Sequence, residues 1–202
     1  AALGARPAGQ ITSREVAGLL SAEVGLDQVL QAILSELEHT LPLDLSAIWL
    51  LDEDDLSLPY GQKNLVLAAS GGGCAGELEL ANGLTPEDLG LVFDNEQAED
   101  PAYPPAAWLN EILIADHPVL RSKNSPLDPL AAALQLSDDY SAIGVPLRVG
   151  EQSLGVLTLA HHAPFMYGSE ARAVTETFAS YAAVAIENAR LYEAAHEQAW
   201  IS

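Results

Sequence analysis

Apolar positions follow a helical period at both ends of the chain, a strand pattern just inside each end, and no period in the middle. Val16, Leu19, Leu20 and Val24 form the first stripe, behind a capping box from Thr12 to Glu15. Gly25 interrupts it. Leu26, Val29, Leu30, Ile33, Leu34, Leu37 and Leu41 then line one side of a second stripe, with Asp27 as the expected cap and Pro42 as the stop. The chain therefore opens with two helices, or with one helix broken near Gly25.

The period then changes to that of strands. Ala47 to Leu51 is a short apolar run bounded by acids, and "NLVLAASGGG" is a second one ending in glycines. The pair predicts a hairpin with a long connection. From about residue 72 to 140 the period is lost, and seven of the twelve prolines fall there. Short helices are expected at "PEDLGLVF", "PPAAWLNEILI" and "PLDPLAAALQL", and a short strand at "PVLRS". So long an irregular stretch is more often functional than accidental.

Order returns with "SAIGVPLRV", "GEQS" and "LGVLTLAHH", which reads as a β-hairpin. Leu154, Val156, Leu157 and Leu159 mark a buried arm, and Gly155 marks a close backbone approach. Gly168 or Ser169 caps a long last helix. Antiparallel hairpins with helices gathered at the two ends predict an α+β fold, helices packed on a sheet face. A doubly wound nucleotide fold needs alternating strands and helices, which are missing.

Composition narrows the function classes. The 202 residues are 49% hydrophobic, enough for one domain with a core plus appendages. Twenty-nine acidic against eight basic residues give a net charge of −21, which repels nucleic acid and anionic lipid. No apolar run reaches the length of a membrane span, so no membrane contact is expected. Residues 1–11 read as a linker. One cysteine, Cys74, excludes an intrachain disulfide and a cysteine zinc site, and fits a reducing cytoplasm. Met166 is the lone methionine, so the chain reads as processed or as a segment of a longer protein. Its connector-like ends favour the segment.

The stretch from "SAIGVPLRVGEQSLGVLTLAHH" to "FASYAAVAIENARLYE" resembles the C-terminal half of a GAF domain. The hairpin, the phenylalanine after it and the helix ending in "AIENARLYE" carry the likeness. "LDQVLQAILSELEHTL" before "LSAIWLLDED" extends it, so that it covers about residues 26–193, between a connector helix at 12–25 and the start of another at 194–202. The resemblance implies a five- or six-stranded antiparallel sheet. The N- and C-terminal helices would lie on one face, and a ligand pocket with short helices and loops on the other. It also implies the sensory or regulatory module of a signalling protein. A covalently linked output domain would follow downstream, such as a histidine kinase or a cyclic-di-nucleotide enzyme.

Measured against the chemistry of that family, most options fall away. Bilin-binding members use a cysteine before the second hairpin, and residues 101–140 hold none, so no covalent bilin is expected. "VFDNE" at 92–96 shares composition but not order with the cyclic-nucleotide motif. A GAF-type methionine sulfoxide reductase needs a second cysteine to close its thiol cycle. Arg121, Ser122, Lys123 and Ser125 form a small cluster that reads as a solvated loop. Of the histidines, His39, His117, His161, His162 and His196, none stands in a zinc motif. Neighbours on a strand point to opposite faces, so His161 and His162 are not expected to share a metal. No haem ligand, metal site or catalytic residue is expected; the cofactor is left unknown.

The candidate pocket residues are Phe93, Tyr103, Trp108, Leu113, His117 and Tyr140, chosen because small-molecule pockets are largely apolar with a few polar groups. They equally fit a second core. Two readings therefore stand: a module that binds an unknown small molecule and resets its terminal helices, or a ligand-free dimerisation scaffold. An enzyme is the remote third. A homodimer is expected through Val174, Phe178, Tyr181, Ala185, Asn188 and Tyr192, which recur at spacings of four and three along the last helix.

Overall fold

The computed structural model describes residues 25–51, 65–76, 104–121 and 139–201. In chain order the elements are α1 (Leu26–Thr40), β1 (Leu45–Leu51), β2 (Leu65–Gly71), α2 (Pro104–Ile114), β3 (Val119–Leu120), β4 (Ser141–Val149), β5 (Gln152–His161) and α3 (Ser169–Ile201). The expected helices at 12–24, 86–93 and 126–136 lie outside the described residues.

The five strands form one antiparallel sheet in the order β2-β1-β5-β4-β3. Side chains alternate across it, as pleating requires. Ile48, Ala69, Ile143, Val145, Leu147, Leu157 and Leu159 join one core with α1 and α3. Leu45, Ala47, Trp49, Leu51, Val156 and Ala160 join a second core with α2.

Helix α1 buries Val29, Leu30, Ile33, Leu34 and Leu37, five of the seven positions of its predicted stripe. Its start differs from expectation. Gly25 is the N-cap, with φ −57° and ψ 139°, and Asp27 stands inside the first turn without capping. There its charge still favours the positive end of the helix dipole. The extended ψ of Gly25 makes α1 a fresh start.

A two-residue turn, Gly150–Glu151, joins β4 to β5. Gly150 has φ +60° and Glu151 does not, the pattern of a type II′ hairpin. Leu147 pairs with Gly155 and Arg148 with Ser153, so Leu154 is an extra residue on β5 and turns into the α1/α3 core. At Gly155 a Cβ would stand 2.0 Å from the Trp49 carbonyl oxygen, the close approach that the sequence indicated.

The Gly168 carbonyl accepts the Arg172 amide at 3.1 Å and opens α3. Over 33 residues α3 is unbroken. It packs on β4 and α1 through Ala171, Thr175, Ala179, Ala182, Ala183 and Ile186, and every residue from 191 to 200 is exposed. No described helix is long and apolar enough to cross a membrane.

Candidate functional site

The face of the sheet opposite α1 and α3 is set by β1 and β5, whose second-face residues form an apolar floor. Trp49 keeps its polar edge satisfied by donating Nε1–H to Thr158 Oγ1 at 3.1 Å. Helix α2 covers this floor with Leu109, Ile112 and Leu113. Ile112 rests directly on Gly144, where a Cβ would come within 2.1 Å of its Cδ1. The C-terminal end of α2 is anchored by two side chains. Ser153 Oγ donates to the Leu113 carbonyl at 2.9 Å, and Arg148 Nη1 to the Ala115 carbonyl at 3.2 Å. Both meet carbonyls that a helix end leaves unpaired.

One polar atom on this face stands out. Trp108 is half-buried, and its Nε1–H is buried with no acceptor among the described residues. A buried donor normally finds a partner.

A cleft of about 120 Å³ lies between the β3 and β4 strands and the segment after β5. Leu120, Arg121, Tyr140, Phe165 and Tyr167 are among its walls. The Arg121 guanidinium sits 3.9 Å above the Tyr140 ring, a cation–π contact, and donates to the Tyr140 carbonyl at 3.2 Å. Phe165 has φ +59°, a left-handed conformation uncommon for a bulky residue, and the residue is 83% exposed. Tyr167 donates its hydroxyl to the Pro42 carbonyl at 3.1 Å. Burial, and then the charge of Asp44, push its ionisation well above the usual tyrosine range.

Of the candidate pocket residues, Leu113 is buried and Trp108 half-buried in the core under α2, and Tyr140 lines the cleft. His117 is at the surface, its Nδ1 2.6 Å from Asp116 Oδ1. Phe93 and Tyr103 lie outside the described residues. The helix seam divides in a similar way. Val174, Phe178 and Tyr181 pack in part against the domain's own core, Ala185 is buried in it, and Asn188 and Tyr192 are exposed.

One expectation is corrected. His161 and His162 do not point to opposite faces: their rings stack, with centroids 4.3 Å apart. Strand β5 ends at His161, so alternation no longer governs His162. Asp44, at the entry to β1, completes the group, and one ligand atom from each of the three lies within 4.8 Å of the others. Asp44 Oδ2 accepts the His162 backbone N–H at 2.6 Å and stands 2.6 Å from His162 Nδ1. His161 Nδ1 accepts the Ala163 N–H at 2.9 Å. Burial raises the Asp44 pKa, but the hydrogen bonds from His162 and the charges of His161 and His162 outweigh it, and the net shift is downward. Local sequence carried no signal that joins Asp44 to the histidines, because Asp44 and His162 are 118 residues apart.

The GAF-domain family model matches residues 23–187, and the chain belongs to that family. Solved structures agree on the fold. A methyl-accepting chemotaxis protein, residues 122 to 287, is 18% identical with a TM-score of 0.58, covering 92% of this chain and 99% of that one. The GAF domain/HD domain protein from Geobacter sulfurreducens is 16% identical with a TM-score of 0.57, covering 87% and 98%. The free methionine-R-sulfoxide reductase from Neisseria meningitidis is 14% identical with a TM-score of 0.56, covering 89% and 88%. GAF domains are common in signalling proteins and are generally regulatory, although this last neighbour is an enzyme. No curated protein matches the chain.

Proposed function

We propose that this GAF domain is a non-catalytic sensory or regulatory module of a larger cytoplasmic signalling protein. A small molecule bound on the α2 side of the sheet resets α3, and α3 relays the change to a linked output domain such as a histidine kinase or a cyclic-di-nucleotide enzyme. The observation that carries this reading is the continuity of α3, core-packed through Ile186 and exposed from Leu191 onward. A rigid helix that begins on the sheet and ends beyond it transmits a shift in the sheet. The Trp108 N–H, which has no acceptor among the described residues, supports a polar ligand atom on the α2 side. The single cysteine supports the non-catalytic part, since a thiol cycle needs a second sulfur.

The test is native mass spectrometry of protein purified from its host, followed by a thermal-shift screen of small molecules. A ligand should raise the melting temperature by mass action and alter amide exchange in both α2 and α3. A ligand that changes α2 alone would refute the relay.

A second reading, a ligand-free dimerisation scaffold, is favoured by the seating of Ile112 on Gly144 and, among the described residues, by the size of the cleft. Its roughly 120 Å³ is below the about 300–1,000 Å³ of usual small-molecule sites. In both readings the homodimer forms along the free side of α3, where Val184, Leu191 and Tyr192 are exposed.

A further inference from the structure

We propose that Asp44, His161 and His162 bind a first-row divalent metal ion of the zinc type at the junction of β1 and the segment leading into α3. Two imidazoles and one carboxylate are a donor set that zinc accepts, leaving a fourth position for water or another ligand. All three ligand atoms lie within 4.8 Å of one another, and a tetrahedral ion with bonds of about 2.0–2.1 Å brings such atoms roughly 3.3 Å apart. Small side-chain adjustments of the three residues would have to supply that change, and His162 is exposed and so has room to move. Nδ1 of His162 and Oδ2 of Asp44 stand 2.6 Å apart, and an ion bound by both would replace that contact, a proton carried there leaving to solvent.

The backbone around the group is already held. The Asp44 N–H donates to the Ala160 carbonyl at 2.8 Å, and its own carbonyl accepts the Cys74 N–H at 2.9 Å. Gly72 lets that loop close, since a Cβ there would stand 2.5 Å from the Asp44 carbonyl oxygen. Beyond the histidines, Ser141 Oγ donates to the Ala163 carbonyl and accepts the Met166 N–H at 3.2 Å. Two pinned segments thus present the ligands, and ordering them costs little on binding. A bound ion would tie the start of β1 to the lead-in of α3.

The experiment uses the full chain after treatment with a chelator. Zinc alone is titrated in competition with a chromophoric chelator, and cobalt(II) serves as a visible-absorption probe of the ligand set. One equivalent of zinc should bind. Asp44→Asn, His161→Gln and His162→Gln should each lower the affinity at least about tenfold, and each should weaken the cobalt bands. His117→Gln should change neither readout. Zinc should raise the melting temperature of the parent protein and leave that of the three variants unmoved. The proposal is overturned if the parent binds no zinc, or if binding survives in all three variants, which would assign the ion to scattered surface carboxylates. Should Asp44→Asn lose its fold, the two histidine variants decide the matter.

Discussion

On one face of the sheet, α1 and α3 bury long regular stripes of Leu, Ile and Ala against β4, β5 and β1. On the other face α2, eleven residues long, rests on the floor through a few apolar side chains and two side-chain bonds at its C-terminal end. The first face draws its stability from area removed from water, which is non-directional and tolerant of detail. The second depends on individual fits, such as Ile112 on Gly144 and Ser153 on the Leu113 carbonyl. Stability belongs to the first face. Among the described residues the second face is the more dependent on single contacts, and so the one where a single substitution should loosen one element without the rest.

This contrast is broken or sharpened most strongly in the first core. Leu34→Ala or Leu157→Ala, each at a fully buried position, should cost about 3–4 kcal/mol in denaturant unfolding. Losses below about 1 kcal/mol would mean that this face is not the stabilising one. On the second face, Gly144→Ala forces Ile112 off its seat and should cost roughly 2 kcal/mol. Adding Ile112→Ala should make the double variant about 1 kcal/mol more stable than the sum of the single losses, because the two sites share one contact. Strict additivity would show that α2 does not bear on Gly144.

Ser153→Ala removes one bond to α2 and should cost about 1 kcal/mol. Hydrogen exchange should rise in α2 and stay slow in α1, and a rise in both would erase the distinction between the faces. The smallest effect is expected from removing residues 191–202. Stability should change by no more than about 0.5 kcal/mol, since residues 191–200 are exposed. Sedimentation should show the parent as the proposed dimer and the truncated protein as a monomer; a monomeric parent would refute the dimer, and a truncated protein that still dimerises would refute this seam.

The two faces also differ in how legible they were. The α1 stripe, the β4–β5 hairpin, Gly155 and the α3 start could all be read from local spacing, because period and turn chemistry are properties of a few consecutive residues. Tyr140 and Leu113 could be chosen as apolar members of the irregular middle, but not assigned to a cleft and a core respectively. His117 looked equivalent to them and is exposed beside Asp116. Spacing along α3 marked a seam, yet could not tell which of its members the domain's own sheet would take. Ala185 went to the core, and Tyr192 to solvent.

Asp44, His161 and His162 show the limit most clearly. Alternation argued against the histidine pair, and it failed because it holds only while the strand lasts. The sequence by itself determined the elements, their apolar faces and the family, since these follow from short-range periodicity. Tertiary structure alone decided which residues meet. By placing β5 beside β1, it set Asp44 against His162 across 118 positions of chain, a contact that no local pattern encodes.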